Sequence, residues 1–166
     1  KLNKYNYVLT FHPDKENNIK NYNKVFESIK GLEKTSIFIC RPNNDPGNKE
    51  ILKLINKTKN DKNKIFLIKD YGTKYYFSLI KQSNGVIGNS SSGISEIPSL
   101  NKPSINIGNR QKGRPRSKSV IDVEYDIKKI KNAITKTRSK EFLRKIKKNY
   151  NPYFKKNAFL NTKKQI

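Results

Sequence analysis

Three consecutive serines stand between glycines in the stretch GVIGNSSSGISEIPS, directly after a short apolar run. A strand followed by glycine, small polar residues and a helix start is typical of an anion site, because amides of the first helical turn point outward. The hydroxyls of Ser90, Ser91 and Ser92 would add donors, and Gly88 and Gly93 would let the backbone approach a ligand. An ordinary N-cap at Ser92 is the simpler alternative, although a cap requires only one serine. The pattern therefore predicts a phosphate site.

A second candidate segment, NIGNRQKGRPRS, contains half of the six arginines of the chain within seven positions. Most basic positions in this sequence are lysines, so a local switch to arginine indicates planar, bidentate contacts with phosphate or carboxylate. Arg110, Arg114 and Arg116 are therefore candidate anion ligands. A basic surface loop is the alternative interpretation.

Four further polar residues stand where a ligand could meet them. Glu96 lies one turn into the helix predicted after the serines, where it could accept hydrogen bonds from ribose hydroxyls or simply favour the helix N-terminus. His12 is the only histidine and directly follows an apolar run, so a catalytic or phosphate-contacting role competes with a structural one. Asn43 and Asp45 lie in PNNDPGNK, a segment that also suits a simple turn. With no second histidine and no carboxylate cluster, the sequence implies no metal.

The apolar residues form short blocks that alternate with longer amphipathic stretches, a pattern typical of an α/β domain with a parallel sheet. The predicted strands are Tyr7–Phe11, Ser36–Cys40, Lys64–Ile68, Gly85–Gly88 and Ser104–Ile107. The predicted helices are Ile19–Lys30, Lys49–Asn60, Tyr75–Ser83, Gly93–Leu100, Asp126–Lys136 and Lys140–Asn149. Ligands of open α/β sheets bind at the carboxyl ends of the strands. The candidate residues follow the first, second, fourth and fifth strands, so they should meet at one edge.

The composition sets limits on the class of protein. The chain has 166 residues, a formal net charge of +24 and 33% hydrophobic residues. Such a charge is compatible with nucleic-acid binding, but the lysines form no single stripe with interleaved aromatics, which disfavours that role. The lone Cys40 lies in an apolar block and is expected to be an inert strand residue of a protein in a reducing cytoplasm. The sequence has no membrane-length apolar run, and it has no methionine, which predicts a processed or excised chain.

Four blocks of the sequence together resemble a known family. TFHP, PNNDPGNKE, GVIGNSSSGISEIPSL and SINIGNRQKGR occur in the order and spacing of the UDP-N-acetylglucosamine 2-epimerases, over roughly Tyr7 to Ile121. The intact RQ–GR block makes the hydrolysing branch of that family the better fit. The resemblance implies a GT-B architecture, in which two Rossmann-like domains hold a nucleotide sugar between them. This chain resembles the C-terminal, nucleotide-binding domain, with residues 1–150 as the domain and 151–166 as a basic tail or docking segment.

The resemblance also implies roles for individual residues. Ser90 and Ser91 would bind the diphosphate and Glu96 the ribose hydroxyls, while His12 would be catalytic. Arg110 would contact phosphate. The remaining substrate-binding residues implied by the resemblance are Asn43, Asp45, Tyr76, Phe77, Ser92, Gly93, Gln111 and Arg114, the aromatic pair Tyr76 and Phe77 facing uracil.

The implied reaction is elimination of UDP to a 2-acetamidoglucal, followed by addition of water with inversion at C2, without a cofactor. It would yield N-acetylmannosamine for sialic acid synthesis. The same chemistry on UDP-2,4-diacetamido-2,4,6-trideoxyglucose, toward legionaminic acid, is the alternative. The acid–base carboxylates would lie in a missing N-terminal domain, so the expected partners of this chain are UDP or a UDP-sugar and that domain. The parent enzyme is expected to be a cytoplasmic homo-oligomer.

Overall fold

The structure, a computed structural model, describes residues 2–15, 18–58, 64–68, 72–148 and 150–155. Within these ranges the strands are β1 (Tyr5–Thr10), β2 (Thr35–Cys40), β3 (Lys64–Ile68), β4 (Gly85–Gly88), β5 (Ser104–Ile107) and β6 (Val120–Val123). The helices are α1 (Ile19–Ser28), α2 (Asn48–Thr58), α3 (Thr73–Gln82), α4 (Ser92–Ser95), α5 (Ile127–Thr137) and α6 (Lys140–Ile146), with a 3-10 turn at Ile97–Leu100.

The strands form one sheet in the order β3-β2-β1-β4-β5-β6. Every neighbouring pair is parallel. In this order the chain winds outward from β1 in one direction and from β4 in the other, so the strand order reverses between β1 and β4. That switch point opens a crevice at the carboxyl ends of the two strands. The predicted Rossmann-like α/β fold is confirmed.

Alternating residues of the central strands face two apolar layers, as a sheet covered on both faces requires. Tyr7 and Leu9 pack with the buried residues of α1, α2 and α5 on one face. Val8 packs on the other face, with Ile80 of α3 and Ile97 of the 3-10 turn. Together these layers hold the sheet edge that carries the candidate residues.

Three helices, α1, α5 and α6, begin at residues whose side chains bond the free amides of the first turn. Asn18 caps α1 by accepting hydrogen bonds from the amides of Lys20 and Asn21. Asp126 and Ser139 cap α5 and α6 in the same way. These caps explain why the predicted starts of these three helices fall within one residue of the observed ones.

The prediction of one helix over Gly93–Leu100 is wrong. The chain instead makes the single α-turn of α4, which ends at Glu96, and continues as the 3-10 turn. Pro98 has no amide hydrogen to donate into an α-helix, so it favours this break. The sequence also missed β6, a four-residue edge strand whose apolar residues are interrupted by Asp122.

The first residues after position 150 pack against the domain. The Asn151 side chain is buried, and its Nδ2 donates to the Ser95 carbonyl at 2.7 Å and to the Ser99 hydroxyl at 2.6 Å. The Tyr153 hydroxyl reaches the Pro115 carbonyl at 3.4 Å. The segment predicted as a basic tail or docking segment therefore begins against α4 and the 3-10 turn, and its residues 156–166 lie outside the described residues.

Candidate functional site

The serine loop, residues 89–92, leaves the sheet at the end of β4. It follows Gly88, whose φ of +141° and close approach to β1 exclude a side chain, since a Cβ there would lie 1.9 Å from the Thr10 carbonyl oxygen. No described residue accepts a hydrogen bond from the amides of Ser90, Ser91 or Ser92. The loop therefore presents three consecutive free N–H groups at the switch point, which is a geometry suited to an anion.

The three serine hydroxyls have different environments. The Ser92 hydroxyl donates to the Ser90 Oγ at 3.2 Å and lies 2.8 Å from the Tyr76 hydroxyl, which therefore donates to it. This relay leaves the Ser90 hydroxyl hydrogen available to a ligand. Ser91 is half-buried and lines a cleft that it shares with Arg110 and Arg114.

The helix after the serines contributes less than the sequence suggested. Residue Ser91, not Ser92, occupies the N-cap position, and its side chain makes no capping hydrogen bond. Since α4 is a single turn, its dipole is small, and the site rests on the free amides and hydroxyls instead. Gly93 packs closely against β5, because a Cβ there would lie 2.7 Å from the Ser104 hydroxyl, and its predicted contact with a ligand remains a prediction.

His12 lies beyond β1 at the same edge, half-buried, with both of its backbone groups held by Asn89. The His12 amide donates to the Asn89 Oδ1 and the Asn89 Nδ2 donates to the His12 carbonyl, both at 2.8 Å. The imidazole Nδ1 accepts from the Asn43 amide at 3.1 Å. In a neutral imidazole this bond places the proton on Nε2.

The His12 imidazole is held in its neutral form. Burial lowers its pKa below the usual value of 6.5, and the nearby Arg110 guanidinium acts in the same direction, whereas Asp45 and the Asn43 side chain oppose them. At neutral pH His12 is therefore a hydrogen-bond donor through Nε2.

Asn43 and Asp45 form the part of the site that follows β2. The Asn43 Nδ2 donates to the Asp45 carboxylate, and the Asp45 carbonyl accepts from the Asn48 amide at 3.1 Å, at the start of α2. Asp45 therefore stabilises a turn, the alternative that the sequence left open, while its carboxylate remains close enough to His12 to affect its pKa. Buried Asn43 Oδ1 has no partner among the described residues.

The RQ–GR block after β5 is anchored through the serine loop. Gln111 is buried and its Nε2 donates to the Asn89 carbonyl at 2.8 Å, while the Arg110 Nη1 reaches the same oxygen at 3.3 Å. Arg116 instead binds the Asp122 carboxylate through Nε at 2.9 Å, so it holds the loop together. Arg110 and Arg114 are exposed and remain the candidate anion ligands.

Two clefts open on either side of the serine loop. The aromatic cleft encloses about 640 Å³ and is lined by residues that include His12, Cys40, Tyr75, Tyr76, Phe77 and Ser92. The basic cleft encloses about 870 Å³ and is lined by residues that include Asp14, Lys15, Ser91, Arg110, Lys112 and Arg114. The structure thus brings together the predicted residues from four loops.

Within the aromatic cleft, the Tyr76 and Phe77 rings meet edge to face with centroids 5.3 Å apart. Burial raises the pKa of the Tyr76 phenol above its usual 10.0, and the neighbouring Cys40 and Glu96 add to that rise. The phenol therefore stays protonated and serves as the donor to Ser92. Cys40 is half-buried at the cleft wall rather than deep in the core, a position the sequence did not predict.

Glu96 is set apart from the other predicted residues. It lies on a shallower depression beside Phe77, Ser99 and Tyr153, where its carboxylate accepts from the Ser95 hydroxyl at 2.6 Å. It is connected with the aromatic cleft through Phe77, which lines both depressions, and through its influence on Tyr76. Its predicted contact with ribose remains a prediction.

Across the described ranges there is no group of three or more His, Cys, Asp or Glu side chains that could hold a metal ion. Among the helices in those same ranges, none combines the length and apolar character that a membrane span requires.

Comparison with known proteins now identifies the family. Residues 1–164 match the family described as UDP-N-acetylglucosamine 2-epimerase. The chain belongs to the UDP-N-acetylglucosamine 2-epimerase family. It is 34% identical to a polysialic acid biosynthesis protein of Escherichia coli, over 93% of this chain and 40% of that protein. It is 37% identical to the GDP/UDP-N,N'-diacetylbacillosamine 2-epimerase (hydrolyzing) of Campylobacter jejuni, over 86% of this chain and 38% of that protein.

The fold agrees with solved members of this epimerase family. The structure of UDP-GlcNAc 2-epimerase from Neisseria meningitidis bound to UDP-GlcNAc superposes with a TM-score of 0.73 at 20% identity, covering 98% of this chain and 45% of that one. The likeness confirms the predicted resemblance to one domain of a GT-B enzyme. The chain spans about two fifths of the length of the curated relatives it matches.

Asn89 is the site residue that sequence reasoning missed. It is fully buried and bonds the loops after both β1 and β5. Its position at the head of the serine run was visible in GNSSSG, but the adjacent hydroxyls offered a simpler chemical explanation of that motif.

Proposed function

We propose that this chain is the UDP-binding part of a hydrolysing UDP-sugar 2-epimerase. The observation that carries the proposal is the serine loop at the switch point, whose amides have no acceptor among the described residues and whose Ser92 and Ser91 line the two clefts. The pyrophosphate would lie on Ser90 and Ser91, with Arg110 contributing a planar charged donor. The uracil would enter the aromatic cleft beside Tyr76 and Phe77.

The proposed whole-enzyme reaction converts UDP-N-acetylglucosamine to UDP and N-acetylmannosamine, by elimination followed by addition of water. Proton removal at C2 needs a base within hydrogen-bond reach. We place that base outside these 166 residues, because neutral His12 is bonded at Nδ1 and offers only Nε2–H. We therefore expect the chain alone to bind UDP and to release none from UDP-N-acetylglucosamine.

A second substrate is favoured by the 37% identity to the C. jejuni enzyme, whose name carries a diacetylated sugar. The same loops would then hold the UDP of a 2,4-diacetamido-2,4,6-trideoxy sugar. Because the serine loop and Arg110 would contact only the nucleotide portion, both substrates fit this part of the enzyme equally.

Isothermal calorimetry of the chain with UDP, UMP and uridine tests the proposal. We expect affinity to rise from uridine to UMP to UDP, because each phosphate adds charge-assisted hydrogen bonds. Equal affinity for uridine and UDP would remove the anion site from the serine loop. A series at increasing salt separates this binding from non-specific nucleic-acid binding, which weakens steeply through counterion release.

A further inference from the structure

Asn89 makes five hydrogen bonds that tie three segments of the site together. Its side-chain amide forms a closed pair with the His12 peptide groups, both bonds being 2.8 Å. Its amide donates to the Thr10 carbonyl at 3.3 Å, and its carbonyl accepts from Gln111 and Arg110. Since Asn89 is fully buried, these bonds do not compete with water.

We propose that Asn89 is a positioning residue that fixes the His12 imidazole as a hydrogen-bond donor through Nε2, facing the ligand. The Asn89 clamp holds the His12 backbone, and the Asn43 amide then occupies Nδ1 at 3.1 Å. The ring atom that remains for a ligand is Nε2 and its hydrogen. The inference deepens the proposed function and rests on it for the identity of the ligand.

The charged groups around the ring agree with this assignment. Arg110, from the loop after β5, disfavours an imidazolium, whereas Asp45, from the loop after β2, favours one. An imidazolium would also turn Nδ1 into a donor facing the Asn43 amide, which is itself a donor. With its Nδ1 lone pair occupied by the Asn43 amide, the neutral ring can donate from Nε2–H to the departing diphosphate oxygen, but it has no free basic nitrogen to act as a general base.

The paired hydrogen bonds with the His12 backbone require Asn rather than Asp at position 89. A carboxylate there would still accept from the His12 amide, but it would place a second acceptor against the His12 carbonyl. It would also bring a negative charge toward the ring, which favours the imidazolium. Asn89→Asp is therefore a nearly isosteric change that acts on the orientation and protonation of His12.

The experiment is NMR of the 166-residue chain labelled with ¹⁵N-histidine. His12 is the only histidine, so each spectrum contains a single imidazole. We expect Nε2 to carry the proton and Nδ1 to resonate as an unprotonated nitrogen at neutral pH. A wild-type ring with its proton on Nδ1, or one that averages both tautomers, would overturn the inference without any variant.

The variant Asn89→Asp tests the positioning role of Asn89. In Asn89→Asp we expect averaged nitrogen shifts, a higher titration midpoint and UDP affinity reduced at least about fivefold, the equivalent of a lost hydrogen bond. Asn132→Asp, at an exposed site in α5, makes the same charge change and should leave all three readouts unchanged. A folded Asn89→Asp chain with the wild-type tautomer would overturn the positioning role. If the wild-type chain showed the Nε2–H tautomer but did not bind UDP, the proposed function alone would be overturned.

Discussion

The two clefts beside the serine loop are built in different ways. The aromatic cleft has walls that belong to an apolar layer, and its Tyr76 hydroxyl is bonded to Ser92 at 2.8 Å. The basic cleft is lined largely by exposed side chains, among which Arg110 holds a single 3.3 Å bond to Asn89. A preformed apolar surface loses little conformational entropy when it binds a flat ring, whereas free arginine and lysine side chains lose more. The aromatic cleft, proposed to hold uracil, is therefore the more rigid, and the basic cleft, proposed to hold phosphate, would gain its order on binding.

The largest expected effect is at Gly88, since both clefts depend on the chain path at this residue. Gly88→Ala should destabilise the fold by at least about 3 kcal/mol, because the new Cβ would lie 1.9 Å from the Thr10 carbonyl oxygen at a positive φ. Urea unfolding measures this loss. Gly113→Ala is the matched control, since that residue also has a positive φ but open space around it. It should cost only about 1 kcal/mol, and equal losses would show that backbone strain alone matters.

Arg110 tests the basic cleft next. Arg110→Lys keeps the charge but loses the planar fork, so UDP affinity should fall by about 1–2 kcal/mol, or roughly 5- to 30-fold. Calorimetry with UDP measures the change, and uridine binding should stay as it was. Arg144→Lys, exposed in α6, is the control. An unaltered UDP affinity would return the arginines to the role of a surface loop.

Arg110 and Arg116 show what could be predicted from the sequence and what could not. The sequence showed that arginines are enriched in one segment. Only the structure shows that the Arg116 guanidinium binds the Asp122 carboxylate of β6 and so holds the loop together instead of contacting a ligand. That strand was itself missed, because four residues with one charge make a weak pattern. Similarly, the role of Asn89 depends on His12 and Gln111, residues 77 and 22 positions away.

What the sequence predicted well was local or periodic. The five apolar blocks became strands within two residues of their predicted bounds, because burial on both faces demands continuous apolar runs. From these strands follow the shared edge and the meeting of His12, the serines and Arg110. The one-turn helix was not foreseen, since the apolar spacing outweighed the effect of Pro98 in that prediction.

Tyr76 lines the aromatic cleft, but its hydroxyl bonds Ser92 of the serine loop. Changing it therefore tests whether the two clefts act separately. Tyr76→Phe keeps the ring and removes the donor to Ser92. UDP affinity should fall by about 0.5–1.5 kcal/mol, the usual contribution of one hydrogen bond, while uridine affinity should stay nearly constant. Calorimetry with the two ligands separates these effects. An equal loss for both would mean that the hydroxyl acts on the base pocket rather than through the serine loop.

The smallest expected effect is the pH dependence that His12 gives to stability. Burial and then Arg110 lower its folded-state pKa below the usual 6.5, so between these two values the unfolded chain binds a proton that the folded chain does not. Stability from this group is therefore complete above about pH 6.5 and decreases as the pH falls toward the lowered value. Urea unfolding from about pH 7 to about pH 5 measures the slope. His12→Gln should show a shallower slope than the wild type, since the difference between them cancels the shared carboxylates. Equal slopes for the wild type and the variant would mean that folding does not lower the pKa of His12. The neutral Nε2–H donor assigned to His12 in the aromatic cleft would then lose this support.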